Sequence, residues 1–338
     1  MEKVTSLEVA KRAGVSQSAV SRVFTPGASA SNRTAEKVRE AAQELGYRPN
    51  ILARSLITGK SRIVGLIVAY LDNYFYPAAL EKLSNTLQKE GYHVLVFMAS
   101  NDSQSTEQVI EELLDYQVDG IIIASVGISN DVTARCEAMG VPVVLFNRTQ
   151  DQLAHSSVTS DNIKGGHTAA QFLCEAGHKR IAYIGGWVGA STQRDREAGF
   201  CSGLNKFGKT LFAHALGNFS TDTAKNVARQ MFAVSRRPDA VFIATDHMAF
   251  AVMDVLRTEL GLSIPEDVSV VGYDDVPPAS WAGYNLTTLR QRANLMVEQT
   301  VRLMIDKIRD PEVAPRHLKI SSPLIVRGSA KIPKGWNT

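Results

Sequence analysis

Three polar side chains near the amino terminus, Gln17, Ser18 and Arg22, have the types and the spacing of residues that read DNA bases. They fall in a predicted helix over about 17–24, and Gly14 precedes it where the turn of a helix-turn-helix motif needs a left-handed residue. In that motif the second helix enters the major groove with its first side chains at the base edges. Gln can pair with adenine and Arg with guanine through two hydrogen bonds, whereas Ser is permissive. The pattern predicts a DNA-reading helix, and a generic three-helix bundle is the alternative interpretation.

Hydroxyl and amide side chains around the predicted helices could contact the DNA backbone. Such side chains, together with helix N-termini, bind phosphates and set the register of a protein on the duplex. The candidates are Thr5, Ser16, Ser21, Ser31, Asn32 and Thr34. Because Ser, Thr and Asn also cap helices, these positions are less specific indicators of DNA binding than the base-reading ones.

Charge is unevenly distributed along the 338 residues. Residues 1–60 hold ten Lys/Arg and five Asp/Glu, a net charge of +5, which leaves −2 for the remainder of a chain whose total is +3. A basic segment before a mildly acidic body indicates that the amino-terminal part meets a polyanion. The sequence has no apolar run of about 18 residues and no apolar signal-peptide core, so we predict a cytoplasmic protein without a membrane partner.

The sequence lacks the residue patterns of catalysis and cofactor binding. Cys136, Cys174 and Cys201 have no paired spacing, and the seven histidines are scattered without metal-ligand spacing. We find no nucleophile elbow, no GxGxxG and no P-loop. The protein is therefore predicted not to be an enzyme and to need neither a metal nor an organic cofactor.

From residue 62 onward, short apolar strands alternate with helical patterns in two successive series. This alternation indicates parallel sheets covered by helices, and two series predict two doubly wound α/β lobes. Ligands of such sheets bind beyond the carboxyl ends of the strands, which here face a cleft between the lobes. The second series includes predicted helices over 165–176 and 196–206, and one late strand is predicted near 318–326.

Longer motifs resemble a single family of bacterial transcription regulators. The runs VAKRAGVSQSAVSRV at 9–23 and YRPNILARSL at 47–56 are similar to the amino-terminal part of the lactose-repressor/galactose-repressor (LacI/GalR) family. The body carries further similar motifs in the same order, namely SDN at 160–162, GHKRI at 177–181, REAGF at 196–200, PEDVSVVGYDD at 265–275 and LTTL at 286–289. The resemblance implies a periplasmic-binding-protein-like body, a palindromic DNA operator as partner, and control by a small-molecule effector.

The family resemblance also implies a role for residues 50–58. They would form a hinge helix when a dimer sits on its operator, beginning at Asn50, with Leu56 wedged into the minor groove and Ala53 beside it. An apolar wedge unstacks a base step and kinks the DNA. About nine residues do not form a stable helix alone, so folding coupled to DNA binding would act as a switch. An ordinary interdomain contact is the alternative for Leu56.

The predicted organisation has three parts. These are a helix-turn-helix domain over 1–48, a hinge helix and linker over 49–61, and an effector-binding and dimerisation body over 62–338. Two DNA-reading domains on a two-fold operator require a two-fold dimer. The last seven residues show no leucine heptads of the kind that join some relatives into tetramers, so we predict a homodimer, with 79–90 as a candidate dimer surface.

In the cleft, the resemblance implies that Arg196 binds the effector and that Asp274 accepts hydrogen bonds from its hydroxyl or N–H groups. Further candidates follow predicted strands or lie on the segments that line the cleft. They are Tyr74, Phe75, Ser125, Asn147, Arg148, Thr192, Phe219, Asp246 and Gln291. Aromatic rings among them could stack on a sugar or base. The alternatives are a turn cap for Asp274, a surface ion pair for Arg196 and a core position for Phe219.

The chemical class of the effector stays open at this point. Arg148, Arg194 and Arg196 favour an anion such as a sugar acid or sugar phosphate, held by charge-assisted hydrogen bonds. The Asp, Asn and aromatic candidates suit a neutral sugar. A solute-binding protein shares the two-lobed body, but it would carry an export signal and no DNA-reading domain, so this alternative explains only the fold of the body.

Overall fold

The computed structural model describes residues 4–25, 28–48, 60–69, 71–99, 103–124, 130–150 and 154–336. The chain divides into two compact units, Met1–Ser61 and Arg62–Thr338. The first unit is helical, and the second is an α/β body with two parallel sheets. The fold class predicted from the sequence is thereby confirmed.

The helices of the amino-terminal unit begin and end where their sequence provides caps. They are α1 (Ser6–Ala13), α2 (Gln17–Val23) and α3 (Asn32–Leu45). A capping box starts α1, since the Thr5 hydroxyl accepts a hydrogen bond from the Glu8 N–H and the Glu8 carboxylate accepts one from the Thr5 N–H. Gly14 and Gly46 end α1 and α3 in the left-handed conformation, both with φ 67°. The buried core is Val9, Ala10, Val20, Val38, Ala41 and Ala42.

The first lobe of the body is a parallel six-stranded sheet in the order β11-β5-β4-β3-β1-β2. Its strands are β1 (Ile63–Val68), β2 (His93–Met98), β3 (Gly120–Ala124), β4 (Val143–Phe146), β5 (Ser156–Ser160) and β11 (His317–Ile320). Its connecting helices are α4 (Phe75–Lys89), α5 (Ser103–Asp115) and α6 (Asn130–Ala138). The runs IVGLIV in β1 and GIIIA in β3 are apolar throughout because helices cover both faces of the sheet.

The second lobe is a six-stranded sheet in the order β12-β10-β9-β8-β6-β7, with only β12 antiparallel to its neighbour. Its strands are β6 (Ile181–Gly185), β7 (Ala213–Leu216), β8 (Ala240–Ile243), β9 (Ser269–Asp274), β10 (Thr287–Arg290) and β12 (Leu324–Ile325). Its helices are α7 (Asn162–Glu175), α8 (Ser191–Lys206), α9 (Thr221–Phe232) and α10 (Asp246–Asp254) with a π-helical turn Val255–Glu259. Helix α7 packs tightly on α8 because Gly166 has no side chain. A Cβ at this position would lie 2.4 Å from the Arg196 carbonyl oxygen.

The chain crosses between the lobes three times, from β5 to α7, from β10 to α11 (Ala293–Arg309) and from β11 to β12. Helix α11 packs against α4, β4 and β5 of the first lobe. The prediction of a single late strand was wrong, because the third crossing interrupts it and its two parts join different sheets. Helix α7 begins earlier than predicted because Asp161 accepts a hydrogen bond from the Lys164 N–H and caps it.

Candidate functional site

The candidate base-reading residues lie together on the solvent-exposed side of α2. Gln17 and Ser18 occupy its first turn and are exposed, as is Arg22 one turn later. The Gln17 amide donates a hydrogen bond to Ser6 Oγ at 2.9 Å, which links the start of α2 to α1. Arg22 borders a surface depression that Arg39 of α3 also lines. The surface combines exposed hydrogen-bonding groups with positive charge, as DNA recognition requires.

Several candidate phosphate contacts serve as helix caps. Thr5, Ser16 and Ser31 each accept a hydrogen bond from a backbone N–H in the first turn of the helix that follows. The Ser31 and Thr34 hydroxyls share a hydrogen bond of 2.8 Å. The capping interpretation therefore holds for Thr5, Ser16 and Ser31. Phosphate contacts by these residues and by Ser21, Asn32 and Thr34 stay a prediction. The hinge candidates Asn50, Ala53 and Leu56 lie outside the described residues, as does the cleft candidate Ser125.

A small cavity lies between the lobes of the body. Seven of the eleven effector candidates line it, and they come from both lobes. They are Asn147, Arg148, Thr192, Arg196, Phe219, Asp274 and Gln291. Asn147, Asp274 and Gln291 lie at the carboxyl ends of β4, β9 and β10, where ligands of parallel sheets usually bind.

Tyr74, Phe75 and Asp246 do not line the cavity. Tyr74 is 51% exposed, and Phe75 is buried against Phe146 with their rings stacked 6.1 Å apart. Helix α4 begins at Phe75, and its first turn is fixed by Asn73, whose Oδ1 accepts a hydrogen bond from the Phe75 N–H at 3.0 Å. That geometry turns the side chains of Asn73 and Tyr76, and not those between them, toward the cavity.

Asp246 is fully buried behind the cavity. Its Oδ1 accepts a hydrogen bond from Thr288 Oγ1 at 2.6 Å, and its Oδ2 accepts one from the Val276 N–H at 3.0 Å. Thr245, the residue before it, lines the cavity in its place. Asn73, Tyr76 and Thr245 were missed by the sequence analysis, although each lies within two residues of a predicted position. Adjacency to a strand end was the available signal, but it did not indicate which side chain faces inward.

Arg196 and Asp274 form the charged centre of the cavity. The Arg196 guanidinium lies 3.6 Å above the Tyr273 ring, its Nε donates to Asn162 Oδ1 at 2.8 Å, and its Nη1 lies 3.9 Å from Asp274 Oδ1. Asp274 accepts hydrogen bonds from Gln291 Nε2 at 2.6 Å and from Asn73 Nδ2 at 3.1 Å. The alternatives of a surface ion pair for Arg196 and a simple turn cap for Asp274 do not hold, because both side chains are buried.

Three residues that line the cavity have unusual backbone conformations. Asn147 and Phe219 have φ 56°, and Asp274 has φ 129°. Such conformations cost about 1–3 kcal/mol each, and they concentrate at functional sites. The Phe219 ring packs on Gly186, where an added Cβ would meet it at 2.0 Å. The turn is held further by a 2.9 Å hydrogen bond between His247 Nε2 and the Phe219 carbonyl oxygen.

The electrostatics of the cavity follow from its burial. Burial and the nearby Asp274 raise the pKa of Asp246 to about 8. Burial also raises the pKa of Asp274, and the Arg196 charge opposes this shift. Two buried atoms on opposite lobes, Asn147 Oδ1 and Thr245 Oγ1, have no hydrogen-bond partner among the described residues. A ligand that brings hydroxyl groups would satisfy both.

The fold and the two sites define a class of protein, a DNA-binding regulator with a two-lobed ligand-binding body. The family model of bacterial regulatory proteins of the lacI family matches residues 6–50, and that of a periplasmic binding protein-like domain matches residues 170–330. The ribose operon repressor of Escherichia coli (strain K12) is 29% identical over 331 residues, which are 96% of this chain and 99% of the relative.

Two solved structures are similar over the same length. The lac repressor dimer bound to operator and the anti-inducer ONPF has 27% sequence identity and a TM-score of 0.88, with 97% of this chain and 99% of that chain covered. The complex of the transcriptional regulator CelR with cellobiose has 30% identity and a TM-score of 0.74, with 97% and 100% covered. The protein belongs to the lacI family of bacterial regulatory proteins, which confirms the resemblance found in the sequence. Within the described ranges, no helix has the length and apolar character to cross a membrane.

Proposed function

We propose that this protein is a transcriptional repressor that binds a palindromic operator as a homodimer and is controlled by a small sugar bound between its lobes. The observation that carries the proposal is the buried interlobe cavity, in which charged, amide and aromatic side chains converge from both lobes. The same chain carries an exposed DNA-reading helix with Gln17, Ser18 and Arg22. The ribose operon repressor and the lac repressor, which are similar over nearly their whole length, are repressors by name.

The lining of the cavity favours a small ligand that carries polar groups, because polar side chains from both lobes converge on it. The two unpartnered atoms, Asn147 Oδ1 and Thr245 Oγ1, favour a ligand that carries hydroxyl groups.

The charge balance favours a neutral sugar over a sugar acid. Arg196 already donates to Asn162 and to the Ala244 carbonyl oxygen, and its charge lies near the Asp274 carboxylate. The ion pair offsets much of the positive charge that an anionic ligand would otherwise neutralise. A sugar acid or sugar phosphate held by Arg148 and Arg196 is the second candidate.

The regulator acts on DNA without chemical turnover in this proposal, and we place it in the cytoplasm with its DNA. The effector can shift the equilibrium between two arrangements of the lobes only by the difference in its affinity for them. DNA affinity would change as a consequence of that shift. No group in the proposed mechanism attacks or protonates the effector. A body that binds without catalysis is consistent with relatives that are named as repressors.

Selection of genomic binding sites with the purified full-length protein tests the DNA half of the proposal. At a stated salt concentration, we expect one palindromic motif with a central step that kinks easily. The variant Arg22→Ala should lose enrichment of that motif while remaining folded. Absence of any enriched motif, both alone and with a metabolite extract, would contradict the operator-binding function.

A ligand panel tests the effector half. Calorimetric titration would compare D-ribose and D-glucose with D-gluconate, ribose 5-phosphate and cellobiose. We expect binding of a neutral sugar and a change in operator affinity in a gel shift. The sign of the gel-shift change identifies an inducer or a corepressor. Tight binding of only the anionic compounds would replace the neutral-sugar assignment with the anionic one.

A further inference from the structure

Polar side chains at the three crossings between the lobes all connect to the centre of the effector cavity. We propose that Asn162 and Gln291 are positioning residues, which hold Arg196 and Asp274 from the crossing segments and so tie effector affinity to the relative orientation of the lobes. This proposal rests on the proposed function, because it requires an effector that binds at Arg196 and Asp274. It assigns a role to Asn162, which does not line the cavity, and a second role to Gln291, which does.

The connections form a closed circuit that passes through both the backbone carbonyl and the hydroxyl of Ser160. At the first crossing, Asn162 Oδ1 accepts a hydrogen bond from Arg196 Nε at 2.8 Å, and its Nδ2 donates to the Ser160 carbonyl oxygen at 3.0 Å. The Ser160 hydroxyl donates to Gln291 Oε1 at 2.8 Å. The circuit closes at Asp274, which accepts from Gln291 Nε2 at 2.6 Å and lies 3.9 Å from Arg196 Nη1.

The third crossing joins the same centre through an aromatic ring. The Tyr273 hydroxyl donates a hydrogen bond to Ser322 Oγ at 3.2 Å, and Ser322 lies between β11 and β12. The Arg196 guanidinium is stacked on the face of that same ring, 3.6 Å from its centroid. All three crossings therefore contact either a residue that would touch the effector or the ring that supports it.

Ser160 and Gln291 make the circuit sensitive to lobe movement. Ser160 ends β5 of the first lobe, whereas Gln291 directly follows β10 of the second lobe. Rotation of one lobe relative to the other must change the dihedral angles of the crossing segments. It would therefore move the Gln291 amide, which orients the Asp274 carboxylate.

Burial makes these hydrogen bonds specific. Asn162, Ser160 and Gln291 are all buried, so water does not readily replace a lost partner. A buried polar group that loses its partner is left with the full cost of its desolvation, and bonds to charged groups are the stronger ones. Removal of the Asn162 amide should thus release the Arg196 side chain from its fixed orientation.

Substitution at position 162 tests the positioning role. Asn162→Leu removes both hydrogen bonds in a similar volume, whereas Asn162→Asp keeps an oxygen that accepts from Arg196 Nε. For D-ribose, or the panel sugar that binds the wild type most tightly, we expect about a tenfold or greater rise in Kd for Asn162→Leu. We expect Asn162→Asp to stay within about threefold of the wild type.

A matched pair of serine variants covers the case in which Asn162→Leu fails to fold. Ser160→Ala removes the hydroxyl that joins the lobes through Gln291. Ser329→Ala removes an equally buried hydroxyl in the second lobe, which bonds to the Val270 carbonyl oxygen and the Thr287 N–H away from the cavity. Both should lower the melting temperature, but only Ser160→Ala should raise the Kd for the sugar. Equal Kd values for a folded Ser160→Ala and the wild type would overturn the link between lobe orientation and affinity.

A measurement without ligand separates failure of this proposal from failure of the proposed function. In protein labelled with ¹⁵N-arginine, the Arg196 Nε–H signal should exchange slowly with water and should lose that protection in Asn162→Leu. Arg196→Lys assigns the signal by its disappearance. If no panel sugar binds while operator binding persists, the effector class is wrong, and the exchange result still decides the Asn162 assignment. Protection that survives Asn162→Leu would refute it.

Discussion

The proposed DNA-reading surface and the proposed effector cavity hold their candidate recognition groups in opposite ways. Gln17 and Arg22 project from a single short helix and are exposed. Arg196 and Asp274 are only 2% and 3% exposed, and each is fixed by several partners from different elements. Substitutions at the first surface should therefore change affinity and leave folding intact. Substitutions in the cavity should change both.

The strongest test of this contrast is Arg196→Met. The variant loses the hydrogen bond to Asn162 and leaves the Asp274 carboxylate buried without its nearest cation. We expect the Kd for the effector sugar to rise by about 10- to 100-fold and the free energy of unfolding to fall by about 3 kcal/mol. Calorimetry and thermal unfolding measure the two effects.

Arg229→Met is the control for that substitution. Arg229 pairs with Glu259 at 2.6 Å, but the two side chains are 44% and 42% exposed. An exposed pair contributes about 0–1 kcal/mol, so stability and sugar affinity should change little. Equal destabilisation by the two variants would contradict the claim that burial distinguishes the cavity.

The pH dependence of stability sharpens the contrast within the body. The pKa of Asp246 is raised to about 8 in the folded protein, above the value of about 3.9 expected when unfolded. The stability contributed by the protonated group is fully present below pH of about 4 and is lost as the pH rises through about 8, with a slope of at most about 1.4 kcal/mol per pH unit. Asp246→Asn should flatten this decline and be the more stable form at pH 9. Thermal melts between pH 5 and 9 measure the slope, and the exposed Asp72→Asn should retain the wild-type slope.

Gly186→Ala tests whether the aromatic wall of the cavity is held in place by packing. An added Cβ would lie 2.0 Å from the Phe219 ring, so the ring or its strained turn must shift. Overpacking of this kind costs about 1–3 kcal/mol, and we expect a loss of sugar affinity with it. Gly283→Ala is the control, because an added Cβ there meets nothing within 4 Å. Unchanged sugar affinity in a folded Gly186→Ala would remove Phe219 from the proposed effector site.

Arg22→Ala should affect DNA binding alone. Loss of a bidentate contact to guanine costs about 1–3 kcal/mol, so operator affinity should fall by about 5- to 150-fold. The melting temperature should stay within about 1 °C because the side chain is exposed. Gel shifts with the selected operator and with a scrambled duplex measure the ratio, and the exposed Gln43→Ala on α3 serves as the control. A large fall in melting temperature would show that Arg22 is a structural residue.

The class of the protein and most of the proposed recognition groups could be predicted from the amino-acid sequence. Gly14 and the apolar spacing around it identified the helix-turn-helix, because local rules of helix ends and turns decide such a motif. The alternation of apolar strands and helices identified two parallel sheets, and the strand-end rule located Asn147 and Arg148 at the cavity.

Local sequence patterns did not indicate which of two neighbouring side chains faces the cavity or how distant segments meet, because both depend on the packed fold. The choice of Asn73 and Tyr76 over Tyr74 and Phe75 depends on the residue at which α4 begins, and a shift of one residue rotates a helix by about 100°. The circuit through Asn162 joins residues more than 100 positions apart in the chain, as the contact between Ser160 and Gln291 shows. No local pattern encodes such a meeting, because it follows from the order of the strands and the points at which the chain crosses between the lobes.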